Sequence, residues 1–190
     1  MKATEVLRHE HEAILKMLDG LERLNEALRT NPAGSKETLQ GFVEFFQLFA
    51  DRCHHGKEED LLFPLLERRG LPRAGGPIGV MLFEHDHGRE LLREMAAAAE
   101  TFDKKPQDAA RQWVQAAQRY CQLLRDHILK ENEVLFRMAE QILTDEEQTA
   151  LAAAFEKAEI EKMGAGTHER LHARMEQLLA HVHKSHAAVS

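Results

Sequence analysis

The sequence predicts an all-α protein, an up-down four-helix bundle followed by two additional C-terminal helices. Three observations lead there. Only 11 glycines and 5 prolines occur in 190 residues, and they gather at a handful of breaks. Between the breaks Ala, Leu, Glu, Arg, Gln and Lys dominate, residues that lose little on entering a helix. Within those stretches apolar residues recur every three or four positions, the period of one helical face.

The first helix is expected from about Thr4 to Leu28, with Leu7, Ile14, Leu18, Leu21 and Leu28 on one face, and Thr30-Asn31-Pro32-Ala33-Gly34 ends it. Ser35 is a suitable N-cap for the second helix, which carries Leu39, Phe42, Val43, Phe46 and Phe49 through to Leu66 and stops at Arg68-Arg69-Gly70. Pro64 is expected to kink or loosen its last turn. Leu71 to Pro77 reads as a loop, Ile78 to Glu100 as the third helix, Lys104-Lys105-Pro106 as a break and Gln107 to Ile142 as the fourth. Thr144-Asp145 then caps a fifth helix reaching Met163, Gly164-Ala165-Gly166 interrupts, and a sixth covers about His168 to His183. This length supports one well-buried core. The division expected is a bundle over residues 1–142 and an exposed helical extension over 143–190 packed on its outside.

A net charge of -7 with no long basic block argues against nucleic acid as a partner. No run of eighteen apolar residues occurs, and Met1-Lys2-Ala3-Thr4 leads straight into an amphipathic pattern, so no membrane association and a cytoplasmic location are expected. Cys53 and Cys121 are too few and too far apart for a disulfide framework and read as buried thiols.

Twelve histidines are many for such a chain, and they lead to an internal repeat. Glu10-His11-Glu12 in the first helix parallels Glu84-His85-Asp86 in the third. HHGKEEDLLF from His54 matches HILKENEVLF from His127 at five of ten positions, the shared residues being His, Lys, Glu, Leu and Phe. His11 precedes His54 by 43 residues and His85 precedes His127 by 42. Two hairpins of one design, packed about a pseudo-twofold axis, bring two equivalent donor sets to a common centre, the geometry of a dinuclear metal site.

Residues four apart share a helical face, so His54 with Glu58, and His127 with Glu131, can reach one cluster. Steps of four through His54 meet Phe42, Phe46, Ala50, Leu62 and Leu66, an apolar line broken only by the candidate donors. Steps through His55 meet Val43, Gln47, Asp51, Glu59 and Phe63, a largely polar line, so His55 is expected on a polar face. Leu123, Leu135 and Ala139 flank His127 and Glu131, and Leu7 and Leu15 flank His11. His87 has apolar neighbours as good as those of His85, and the repeat selects His85. Four buried imidazoles and two buried carboxylates need a compensating cation, because each unpaired buried charge costs on the order of several kcal/mol. Imidazole nitrogen and carboxylate oxygen suit iron or manganese, and zinc accepts the same donors. His55, His87 and Glu59 are alternates for metal contact. Tyr120 faces the site side of its helix, as a packing residue or a hydrogen-bond donor. The tail histidines His168, His172, His181, His183 and His186 lack the carboxylates and the repeat that mark the main set.

The order His, His-x-x-x-Glu, His, His-x-x-x-Glu, with HHGKEEDLLFP, resembles the hemerythrin-like, histidine-histidine-glutamate cation-binding family over about residues 1–142, in its four-histidine, two-glutamate form. The resemblance implies two non-haem iron ions held by His11, His54, His85 and His127, with Glu58, Glu131 and an oxo or hydroxo group bridging them. Oxygen carriers of this type have a further histidine four residues after the third-helix ligand, where this chain has Arg89. Over two octahedral ions that donor set leaves two positions open for a diatomic or peroxide ligand. The function implied is binding or sensing of dioxygen or a related small oxidant. The alternative is a di-iron enzyme with peroxidase- or catalase-like activity, or a role in nitric oxide resistance and iron-sulfur repair.

Overall fold

A computed structural model of the chain describes residues 1–31, 35–164 and 166–187, and the side chains of these except 168 and 184–187. Six helices account for most of the described residues. They are α1 (Ala3–Thr30), α2 (36–68), α3 (Pro77–Thr101), α4 (106–142), α5 (Asp145–Met163) and α6 (Thr167–Ala187). The expected breaks at Pro32–Gly34 and at Ala165 fall outside the described residues.

Local chemistry sets the ends. Ser35 accepts a hydrogen bond from the Thr38 amide at 3.1 Å, satisfying a first-turn donor of α2. Gly70, at φ +94, closes the same helix while Leu71 N–H reaches back to the Leu66 carbonyl at 3.0 Å. Pro77 and Pro106 open α3 and α4, where a missing N–H costs nothing. Thr144 and Glu147 cap α5 reciprocally.

Two helices depart from regular winding where the repeat lies. In α2 the segments Phe46–His55 and Glu58–Leu62 are π-helical, and in α4 so is Glu131–Leu135. Their hydrogen bonds reach one residue further: Phe63 N–H bonds to Glu58 O, and Phe136 N–H to Glu131 O. Pro64 does not break α2, which runs on as Phe63–Arg68. Arg137 holds the matching place in α4 behind an equally wide turn, so the proline is not what widens it.

The core has two apolar clusters with a polar layer between them. One, around Ile14, Phe42, Phe46, Leu91, Trp113 and Tyr120, fills the bundle towards the α1–α2 connection. The other, around Leu7, Leu62, Phe63, Met81, Leu135 and Phe136, fills the opposite end. His11 lies between Leu7 and Ile14, His54 and Glu58 between Ala50 and Leu62, His85 between Met81 and Leu91, and His127 and Glu131 between Leu124 and Leu135.

The C-terminal segment is more than an exposed tail. Leu171, Met175, Leu178 and Val182 of α6 are buried in the first cluster, each worth about 1.5–3 kcal/mol of apolar transfer. The helix rests on α1 and α2 where Gly20 and Gly41 leave room: a Cβ at Gly20 would lie 2.4 Å from a Leu179 methyl, and one at Gly41 2.8 Å from a Leu178 methyl. Helix α5 adds Leu151 and Phe155 to the second cluster, and Lys162 pairs with Asp60 of α2. Periodicity alone could not show which exposed-looking stripe these helices would cover.

Candidate metal centre

All six sequence-predicted donors meet in the polar layer. His11, His54, His85 and His127 are each 1% exposed, and Glu58 and Glu131 are fully buried. The Nε2 atoms of His11 and His54 face each other at 3.0 Å, and those of His85 and His127 at 3.2 Å. The carboxylates lie between the pairs. Glu131 comes within 3.1 Å of His11 and 3.3 Å of His127, and Glu58 within 3.8 Å of His54 and 3.5 Å of His85. None of these approaches is an aligned hydrogen bond, so all four carboxylate oxygens are buried without a hydrogen-bond partner.

The outer nitrogens explain the inward-facing lone pairs. His54 Nδ1 donates to Glu10 at 2.9 Å, His85 Nδ1 to Glu59 at 2.7 Å, His127 Nδ1 to Glu84 at 3.0 Å and His11 Nδ1 to the Asn132 amide oxygen at 3.0 Å. A carboxylate only accepts, so Nδ1 carries a proton and Nε2 is the atom left facing inward, with a free lone pair wherever the ring is neutral. Two lone pairs at 3.0 Å repel unless a proton or a cation lies beside them. Such carboxylate–histidine pairs orient and strengthen metal ligands.

The repeat extends to these partners. Glu10 also accepts from Lys57 and Glu84 from Lys130, so each half uses the glutamate before its first histidine to hold the second histidine and the lysine three residues on. Glu59 and Asn132, each following a buried glutamate, cross over to hold the first histidine of the opposite half. Sequence reading did not assign roles to Glu10, Glu84, Lys57 and Lys130, although the repeated Glu-His and His-x-x-Lys-Glu patterns contained them.

Protonation fits a cation site. Burial and the charge of Glu131 push the Glu58 carboxyl well above its usual range. Burial acts on Glu131 in the same sense, but His127 and His11 outweigh it and keep that group ionised. Burial holds His54 below its usual value, and burial together with His127 holds His85 well below. His127, although buried, is raised to about 9 by Glu131 and Glu84. Without metal the cluster therefore stores protons where a cation would sit.

One expectation is overturned. His55 does not point to a polar face: it is 5% exposed and stacks on His85, with ring centroids 3.8 Å apart and planes 14° from parallel. The wide turns of Phe46–His55 are the reason, since each residue advances less around the axis and successive positions 54 and 55 both face inward. Two groups of donor atoms, each within 4.8 Å of one another, result: His11, His54, Glu58 and Glu131, and His55, Glu58, His85 and His127.

The other candidates lie apart. Glu59 holds His85, and His87 is 3.6 Å from Glu90 at the surface. Arg89 turns to the rim, donating to Asp51 at 2.7 Å, Glu59 at 2.6 Å and Asp86 at 3.0 Å. Tyr120 packs edge-on against Phe46 at 5.0 Å, below the polar layer. Cys53 and Cys121 are buried free thiols, and burial pushes each up to about 12. His172 meets the edge of Phe49 at 5.5 Å, and the side chains of His168 and His186 lie outside the described residues.

Comparison with known proteins agrees with this site. Residues 2–139 match the family model of the hemerythrin HHE cation binding domain. The chain is 34% identical over 122 residues to the iron-sulfur cluster repair protein YtfE of Enterobacter sp. (strain 638), covering 63% of this chain and 53% of that one. It is 37% identical over 89 residues to the protein of that name from Escherichia coli O139:H28, covering 45% and 40%. The chain thus spans about half, or less, of the length of these curated relatives. No helix among the described residues is long and apolar enough to cross a membrane.

Proposed function

The chain belongs to the hemerythrin HHE cation-binding family, and on that premise we propose that it holds two iron ions between its apolar cores and binds a small oxidant there. The observation that carries this reading is the convergence of four Nε2 atoms on two carboxylates without hydrogen-bond partners. His11 and His54 would hold one ion and His85 and His127 the other, with Glu58 and Glu131, each near one histidine of either pair, completing the donor set. Manganese and zinc accept the same donors; the family and the iron-sulfur relatives favour iron. Iron in such a site supplies exchangeable positions and one-electron chemistry for dioxygen, peroxide or nitric oxide.

The residues of the chain prepare that chemistry. Glu10, Glu59, Glu84 and Asn132 fix each imidazole in one tautomer and orientation. The apolar clusters on either side exclude bulk water and lower the local dielectric. A surface groove of about 450 Å³ between α2 and α3, lined by Gln47, Asp51, Arg52 and Arg89, flanks the layer on the His55 side. The free thiols of Cys53 and Cys121 suit the reducing cytoplasm.

A second reading, participation in iron-sulfur cluster repair, is favoured by the names of the relatives. Metal analysis and stopped-flow absorbance of the reduced, iron-loaded protein test both. Two irons per chain and a reversible oxygen adduct support a carrier or sensor, sustained loss of peroxide supports an enzyme, and iron delivery to an apo iron-sulfur protein without either supports repair. One iron or none after supplementation rejects the dinuclear reading.

A further inference from the structure

We propose that His55 is a fifth imidazole ligand, on the His85–His127 side of the layer, so that the two ions sit in unequal coordination. The inference rests on the dinuclear reading above. The Nδ1 of His55 is buried with no hydrogen-bond partner; Asp51, the nearest carboxylate, is 3.6 Å away, beyond hydrogen-bond length. A donor atom of His55 is already within 4.8 Å of those of Glu58, His85 and His127. Its ring lies face to face with His85 and edge-on to His127 at 5.5 Å, so rotation of its side chain, not a change of helix register, separates it from an ion held there.

The rest of the repeat shows why only one ion gains this donor. Ile128 occupies the place of His55 in the second half, so the His11–His54 side has no counterpart. Position 89, one turn after His85, carries an arginine committed to Asp51, Glu59 and Asp86, so α3 supplies no second ligand there. A ligand from α2 fills one of the two positions that the four-histidine, two-glutamate count leaves open. The exchangeable position then lies on the His11–His54 ion, and that is where a small oxidant binds.

The test uses the full chain loaded with iron-57. Wild type is expected to give two Mössbauer quadrupole doublets of equal area and different splitting. His55→Phe keeps the stack on His85 but has no donor nitrogen. It is expected to fold with the metal-free melting temperature of wild type, to narrow the difference between the doublets, and to lose one iron about 10–100-fold more readily to a chelator. In His55→Ala the same loss should be reversed by added imidazole, which also covers the case in which the phenylalanine does not fit. Wild-type spectra and iron retention in His55→Phe, or no recovery of His55→Ala with imidazole, overturn the inference while leaving two irons per chain intact. Fewer than two irons in the wild type overturns the dinuclear reading and this inference with it.

Discussion

Glu10 of α1 accepts a hydrogen bond from His54 Nδ1 of α2 at 2.9 Å, and the same carboxylate accepts from Lys57 one turn on. Burial alone would raise the Glu10 pKa, but the His54 hydrogen bond and the Lys57 charge outweigh it and keep the group ionised. Its ionised state holds Nε2 of His54 inward, and Glu84 orients His127 in the same way.

Glu10→Ala and Glu84→Ala are therefore expected to weaken iron retention by about 10–100-fold each without removing a ligand. Competition with a chelator measures this, with exposed Glu12→Ala as control. Retention unchanged in both variants would mean that these carboxylates only balance the lysines.

His54→Ala and Glu131→Ala should each lower iron content below two per chain and destabilise the fold by about 3–5 kcal/mol, since each leaves buried polar partners unmatched. His9→Ala, at the surface, should change neither quantity. Metal analysis beside thermal melts reads both, and full iron content in Glu131→Ala would remove that carboxylate from the ligand set.

The metal-free chain should lose stability at alkaline pH. The pKa of His127, about 9 in the fold, is raised above its ordinary 6.5, so the folded state binds its proton more tightly than the unfolded one. That stabilisation is complete below about pH 6.5 and is lost as pH rises through about 9. In the iron-loaded chain the cation takes the proton's place, and the dependence should vanish. Melting temperatures of both forms across this range check it; parallel profiles would contradict the exchange of proton for metal.

Gly20→Leu with Gly41→Leu should lift α6 from the bundle, because both positions lie under Leu178 and Leu179. Overpacking of this kind costs about 1–3 kcal/mol per site. Gly56→Ala is the control: the nearest atoms to its Cβ are at 3.9 and 4.0 Å, and replacing a helical glycine by alanine stabilises by about 0.5–1 kcal/mol. Melting temperature and protease cleavage between α5 and α6 are the readouts. An unchanged melting temperature in the double variant would show that α6 adapts without loss of packing.

The sequence by itself determined the helices, their order and the six candidate donors, because burial on a regular helix repeats every three or four residues and the duplicated hairpin marks its own equivalent positions. It also contained Glu10, Lys57, Glu84 and Lys130, but not their partners, which lie on other helices more than forty residues away. Tertiary structure alone decided three things. It placed α6 against α1 and α2, where two glycines permit close approach. It crossed Glu59 and Asn132 to the opposite halves. It also turned His55 inward, because hydrogen bonds reaching five residues back change the angle between neighbours, and a rule built on four-residue steps assigns such a side chain to the wrong face.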